Sequence, residues 1–159
     1  MNVEYINPFI EASQNVIREM AGLHPTLGQI YIKDIPYKGD NVVVLIGLTG
    51  EIQGNVVIAL KKTLACKIAS NMMGGMPVPE LDEIAKSAIA ELCNMILGNT
   101  ANIFYEKKVS IDITPPTVLT GENMQFSPSK SVVICVPLIF DNEENIDIDI
   151  SYKEKSKVS

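Results

Sequence analysis

Ser87, Glu91 and Asn94 stand at i, i+4 and i+7 within a stretch, residues 80–105, that holds one glycine, Gly98, and no proline. At about 100° per residue these polar side chains fall within an arc of roughly 60° of a helical wheel. Gly98 continues the line, and Leu81, Ala85, Ala88, Ile89, Leu92 and Ile96 lie mainly to one side of it. The line therefore borders a buried face and looks outward. Serine needs a general base to act as a nucleophile, and the only histidine, His24, is remote in sequence. Two oxygen ligands and a hydroxyl are poor for zinc, and calcium or magnesium sites gather more carboxylates in a loop. A different task suits an amide and a carboxylate. The amide can hold a water in line with a phosphoryl group, whose transfer asks mainly for positioning and electrostatics. The carboxylate can pair with a lysine on a partner and fix its approach. Spacing alone is also the ordinary pattern of a solvated helix surface. Gly98 costs the helix about 1 kcal/mol against alanine, and its missing side chain admits close approach of another backbone.

The elements that must position this line are legible along the chain. Asn7-Pro8 opens a first helix, with Phe9, Ile10, Val16, Ile17 and Met20 at helical spacing and a stop near Gly22. Residues 27–60 predict strands: Ile30 and Ile32 alternate with Tyr31 and Lys33, a turn follows at Pro36 and Lys38–Asn41, and Val42–Ile46 and Val56–Leu60 are buried strands joined by a hairpin at Thr49–Glu51. Gly47 and Gly54 predict bulges or close packing. Leu64–Met73 predicts a second helix ended by Gly74-Gly75, and the long helix follows from about Glu80 to Tyr105. Strands are expected at Val109–Ile113, near Val118-Leu119, and at Val132–Ile139, with Pro137 at an edge or bulge. The alternation Ile146–Ile150 predicts a strand with one face in water. Either of these last two strands is a candidate dimer edge. The order of elements predicts a duplicated α+β unit, an antiparallel sheet covered by helices. One domain is expected over 1–153, with a polar tail at 154–159.

Bulk properties bound the function. The 159 residues are 47% hydrophobic and 20% charged, with a net charge of −6, which is a globular composition. This acidity argues against nucleic acid or an anionic membrane as a partner. Cys66, Cys93 and Cys135 sit in apolar segments without a C-x-x-C pair, reading as buried thiols in a reducing cytosol. No signal peptide or membrane span is evident, so a cytoplasmic protein is expected.

The stretch Ser87-Ala-Ile-Ala-Glu91-Leu-Cys-Asn94-Met-Ile-Leu-Gly98 resembles the [DS]-x-x-x-E-x-x-N signature of the CheC/CheX/FliY phosphatase family. Ile46–Gly50, Met72–Met76 and Asp112–Val118 resemble segments of its CheX branch. The resemblance implies a phosphatase acting on the aspartyl phosphate of a CheY-type receiver. It implies that Glu91 pairs with the receiver's lysine and that Asn94 orients the attacking water, with Ser87 and Gly98 in the contact. It also implies that magnesium belongs to the receiver, that this chain carries no cofactor, and that it forms a homodimer joined through its sheet. The first helix carries Glu11, but Asn7 and Gln14 stand where Ser or Asp and Asn are expected, which points to one active face; a weaker second site, with Gln14 orienting water, is the alternative. A non-catalytic adaptor for a receiver, and a component of a flagellar switch, are the alternatives from other classes.

Overall fold

The computed structural model describes residues 3–33, 37–39, 42–121, 124–126 and 132–154. After a 3-10 turn at Val3–Tyr5, helix α1 spans Asn7–Ala21, with Pro8 in its first turn and Gly22 closing it at φ 63°. Five strands follow: β1 (Thr26–Leu27), β2 (Tyr31–Lys33), β3 (Tyr37–Gly39), β4 (Val42–Gly50) and β5 (Ile52–Leu60). Next come α2 (Lys62–Met72) and the 24-residue α3 (Glu83–Glu106). Five more strands complete the described chain: β6 (Ile111–Ile113), β7 (Thr117–Thr120), β8 (Met124–Phe126), β9 (Val133–Ile139) and β10 (Asn145–Glu154).

The main sheet is antiparallel in the order β1–β9–β10–β5–β4–β6, with β2 also on β9 and β7 also on β4. The expected duplication is visible here. Exchanging β1, β2, β4 and β5 for β6, β7, β9 and β10 reproduces the same order, with β5 and β10 paired at the centre from Ile52↔Glu154 to Leu60↔Ile146. Strands β3 and β8 pair with each other. Gly54 lies on the central pair, where a Cβ would fall 1.9 Å from the Ser151 carbonyl oxygen; the expected close packing is therefore against the second half of the molecule.

Period-2 alternation directs Val42, Val44, Ile46, Val56, Ile58, Ile134, Val136, Ile148 and Ile150 into one core with the buried faces of the helices. Phe9 of α1 meets Phe104 of α3 edge to face at 5.8 Å. On the other sheet face Val43, Val57 and Val133 form a second apolar cluster.

Several expectations need correction. Lys38 and Gly39 belong to a strand, not a turn; Pro36, Asp40 and Asn41 lie outside the described residues. Pro137 is not on an edge strand, because β9 pairs on both sides. Its missing N–H is tolerated where the neighbouring strand is interrupted between β1 and β2; its carbonyl there accepts from the Gly28 N–H at 2.9 Å. Strand β10 does not turn its polar side chains to water throughout. Asp149 is only 1% exposed, and its Oδ2 accepts from Lys33 Nζ at 2.8 Å. Neither β9 nor β10 is an edge. Strand β10 runs through Glu154, and residues 155–159 lie outside the described residues. No helix among the described residues is long and apolar enough to cross a membrane.

Candidate active site on the long helix

Helix α3 begins at Asp82, whose Oδ1 accepts from the Ala85 N–H at 2.8 Å, a cap worth about 1 kcal/mol. Ala85, Ile89, Leu92, Cys93, Ile96, Leu97, Thr100 and Phe104 are buried along one face, and the helix packs on both α1 and α2. These contacts fix its rotation. The opposite face then presents Ser87 and Glu91 exposed and Asn94 half-buried. The first and last of these are separated by about 10 Å along the axis. The helical line read from the sequence is therefore real and outward-facing.

Ser87, Glu91 and Asn94, together with Ala90, form one wall of an open groove of about 500 Å³. The other wall is Ile113, Thr114, Pro115 and Pro116, the segment that joins β6 to β7. The sequence presents Pro115-Pro116 only as a break between strands. Its place opposite Asn94 depends on both flanking strands pairing with β4, a long-range fact that no local pattern carries. Gly98 does not line the groove. It is half-exposed further along α3, and a Cβ there would meet no described residue within 4 Å.

Glu91 is the only charged side chain among the groove's lining residues. The groove offers no cation to hold a free phosphate. Among the described residues no group of three or more His, Cys, Asp or Glu side chains is placed to hold a metal ion. Burial pushes the Cys93 thiol, on the opposite face of α3, up to about 12, so it is no thiolate nucleophile. What remains is an acceptor carboxylate and a neutral amide on a rigid helix, facing a proline wall.

The related face of α1 differs. Asn7 and Glu11 are exposed, but Gln14 is half-buried, and its Nε2 donates to the Pro25 carbonyl at 3.4 Å. The amide is turned into its own chain.

A duplicated antiparallel sheet with a carboxylate and an amide displayed on one covering helix defines a CheC-like protein, and solved structures agree. A CheC-like superfamily protein from Shewanella sp. PV-4 superposes with a TM-score of 0.85 at 31% identity, covering 96% of this chain and 99% of that one. The model of the family described as chemotaxis phosphatase CheX matches residues 42–138, and the chain belongs to that family. The CheY-P phosphatase CheX of Thermotoga maritima is 35% identical over 156 residues, 96% of this chain and 98% of that protein. The CheX of the CheX–CheY–BeF3–Mg complex from Borrelia burgdorferi is 28% identical with a TM-score of 0.82, covering 96% of this chain and all of that one.

Proposed function

We propose that this protein hydrolyses the aspartyl phosphate of a CheY-type response regulator and so ends a chemotaxis signal. The observation that carries the reading is the groove itself: Glu91 and Asn94 project together from a rigid helix with no cation among the lining residues and no metal-binding cluster among the described residues. Such a site has no positive charge with which to hold a phosphate alone. It suits a partner that brings the phosphate, the magnesium and a lysine with it.

In this reading Glu91 accepts a charge-assisted hydrogen bond from the receiver's lysine and fixes the approach. Asn94 enters the receiver's site and orients a water in line with the acyl phosphate. The water oxygen bonds to phosphorus, the bond from phosphorus to the aspartate oxygen breaks, and the carboxylate leaves with that electron pair. One proton of the water passes to the phosphate oxygens, so dihydrogen phosphate is released. The neutral amide takes no proton; its contribution is orientation. Ser87 borders the contact as a small polar residue, and Gly98 leaves room for the partner further along the helix. Magnesium is the receiver's, and the protein works in the cytoplasm beside its substrate.

The test is decay of a phosphorylated CheY-type receiver with and without this protein. The wild type accelerates decay. Glu91→Ala raises KM for the phosphorylated receiver by about tenfold, the value of one charge-assisted contact. Decay unchanged by the wild type at any concentration contradicts the reading.

We also infer that the protein is a homodimer joined through a sheet edge. Support comes from β2, an edge strand whose Tyr31 and Ile32, with neighbouring Ile30, leave large apolar surface uncovered; Ile32 is 70% exposed.

A further inference from the structure

We propose that Thr114 is a positioning residue: by clamping onto Gly47 it sets the Pro115–Pro116 wall at the height where an acyl-phosphate-bearing receiver docks between that wall and Asn94. This rests on the phosphatase reading above and identifies a determinant of how its substrate is seated.

The clamp is a closed pair. The Gly47 N–H donates to Thr114 Oγ1 at 2.8 Å, and the Thr114 N–H donates to the Gly47 carbonyl at 3.0 Å. It bridges the interval in which neither β6 nor β7 bonds to β4, since the ladders stop at Leu48↔Ile113 and Leu45↔Thr117. The fit is close. A Cβ on Gly47 would lie 3.1 Å from Thr114 Cγ2 and 3.2 Å from its Oγ1, so a side chain there would need the Thr114 side chain to give way. From this anchor two consecutive prolines continue, with fixed φ and no N–H groups to satisfy. A wall of that composition is stiff, and it offers a partner apolar ring surface at low entropic cost.

The molecule contains its own control. On the α1 side the equivalent interval lies between β1 and β2, where the Gly28 N–H donates to the Pro137 carbonyl at 2.9 Å. Gly28 occupies the place of Thr114, and Pro137 that of Gly47. Glycine has no hydroxyl to accept, and proline has no N–H to donate, so only half of the clamp is formed. This is the side on which Gln14 is turned into its own chain. The complete clamp, formed between Gly47 of the first half and Thr114 of the second, and the outward amide occur together, beside the same covering helix.

A structural role and a docking role separate in kinetics. Thr114 is exposed, so water can replace Oγ1 as acceptor in Thr114→Val and the thermal midpoint stays put. The proposal expects Thr114→Val to raise KM for the phosphorylated receiver about tenfold with kcat within about threefold of wild type. Thr114→Ser, which keeps the acceptor, restores KM. Pro115→Ala, which leaves the clamp intact and alters the wall, raises KM in the same way. Wild-type KM in Thr114→Val, or a raised KM that Thr114→Ser fails to restore, overturns the clamp while leaving the phosphatase reading standing. An unchanged KM in Pro115→Ala overturns the wall. A wild type that never accelerates decay removes the parent reading, and the clamp with it.

Discussion

At the scale of the residue, the sequence carries chemistry best where a helix repeats it. Glu91 and Asn94 share a face because α3 is regular, and regularity follows from composition. Thr114 and Gly47 are far apart in sequence, and nothing in either segment announces that they meet. Gly98 offers a test at this scale. No described residue fills the space beside it, so Gly98→Ala gains helix propensity and stabilises the fold by about 1 kcal/mol. The same change narrows the face presented to a receiver. Urea unfolding and steady-state kinetics are expected to move in opposite directions, with higher stability and higher KM. Higher stability with unchanged KM would assign Gly98 no part in docking.

At the scale of the element, helices and central strands were legible because their patterns are local. Strand β4 reads as buried since alternate residues Val42, Val44, Ile46 and Leu48 face one core and Val43 faces a second cluster. The short strands β1, β3 and β8 were not legible, because their pairing comes from strands far away in sequence. The Ile-Asp alternation of β10 misleads for a related reason. It predicts water on the aspartate face, but β2 brings Lys33 over that face, to Asp149 at 2.8 Å and Asp147 at 3.5 Å. Burial pushes the Asp149 carboxyl above its ordinary value, opposed by the Lys33 hydrogen bond. Burial alone would lower the Lys33 ammonium, but the Asp149 hydrogen bond and charge outweigh it and hold it above 10.5. Lys33→Ala leaves a buried carboxylate without its cation and is expected to cost about 3 kcal/mol at pH 7. In that variant the folded state binds the Asp149 proton more tightly than the unfolded chain does. Stability is then lost as pH rises through the folded value and regained as pH falls through it. Urea midpoints at pH 7 and pH 5 are expected to show the smaller deficit at pH 5. An equal deficit at both would mean that Asp149 does not titrate in that window.

At the scale of the whole molecule, duplication explains both what the fold repeats and what it does not. Each half contributes one helix to the central packing and five described strands. Gly54 keeps the two halves in contact where β5 meets β10. Only the α3 side of the sheet has the outward amide and the full clamp, which joins Gly47 of the first half to Thr114 of the second. The element order foretold the duplication, but the exchange of edge strands between halves is a property of the folded sheet. The proposed dimer belongs to this scale as well. Light scattering is expected to give twice the chain mass, and Ile32→Lys, placed on the exposed edge, to give one. A monomeric wild type would refute the dimer.

The central claim is that Asn94 orients water for a phosphoryl group held by another protein, and the most direct test separates binding from turnover. Affinity for a beryllofluoride-loaded CheY-type receiver is measured beside kcat on the phosphorylated receiver, for wild type and Asn94→Ala. The account predicts affinity within about threefold and a kcat at least about 100-fold lower, the usual cost of losing one preorganised polar group. Full turnover in Asn94→Ala, with binding intact, would contradict it.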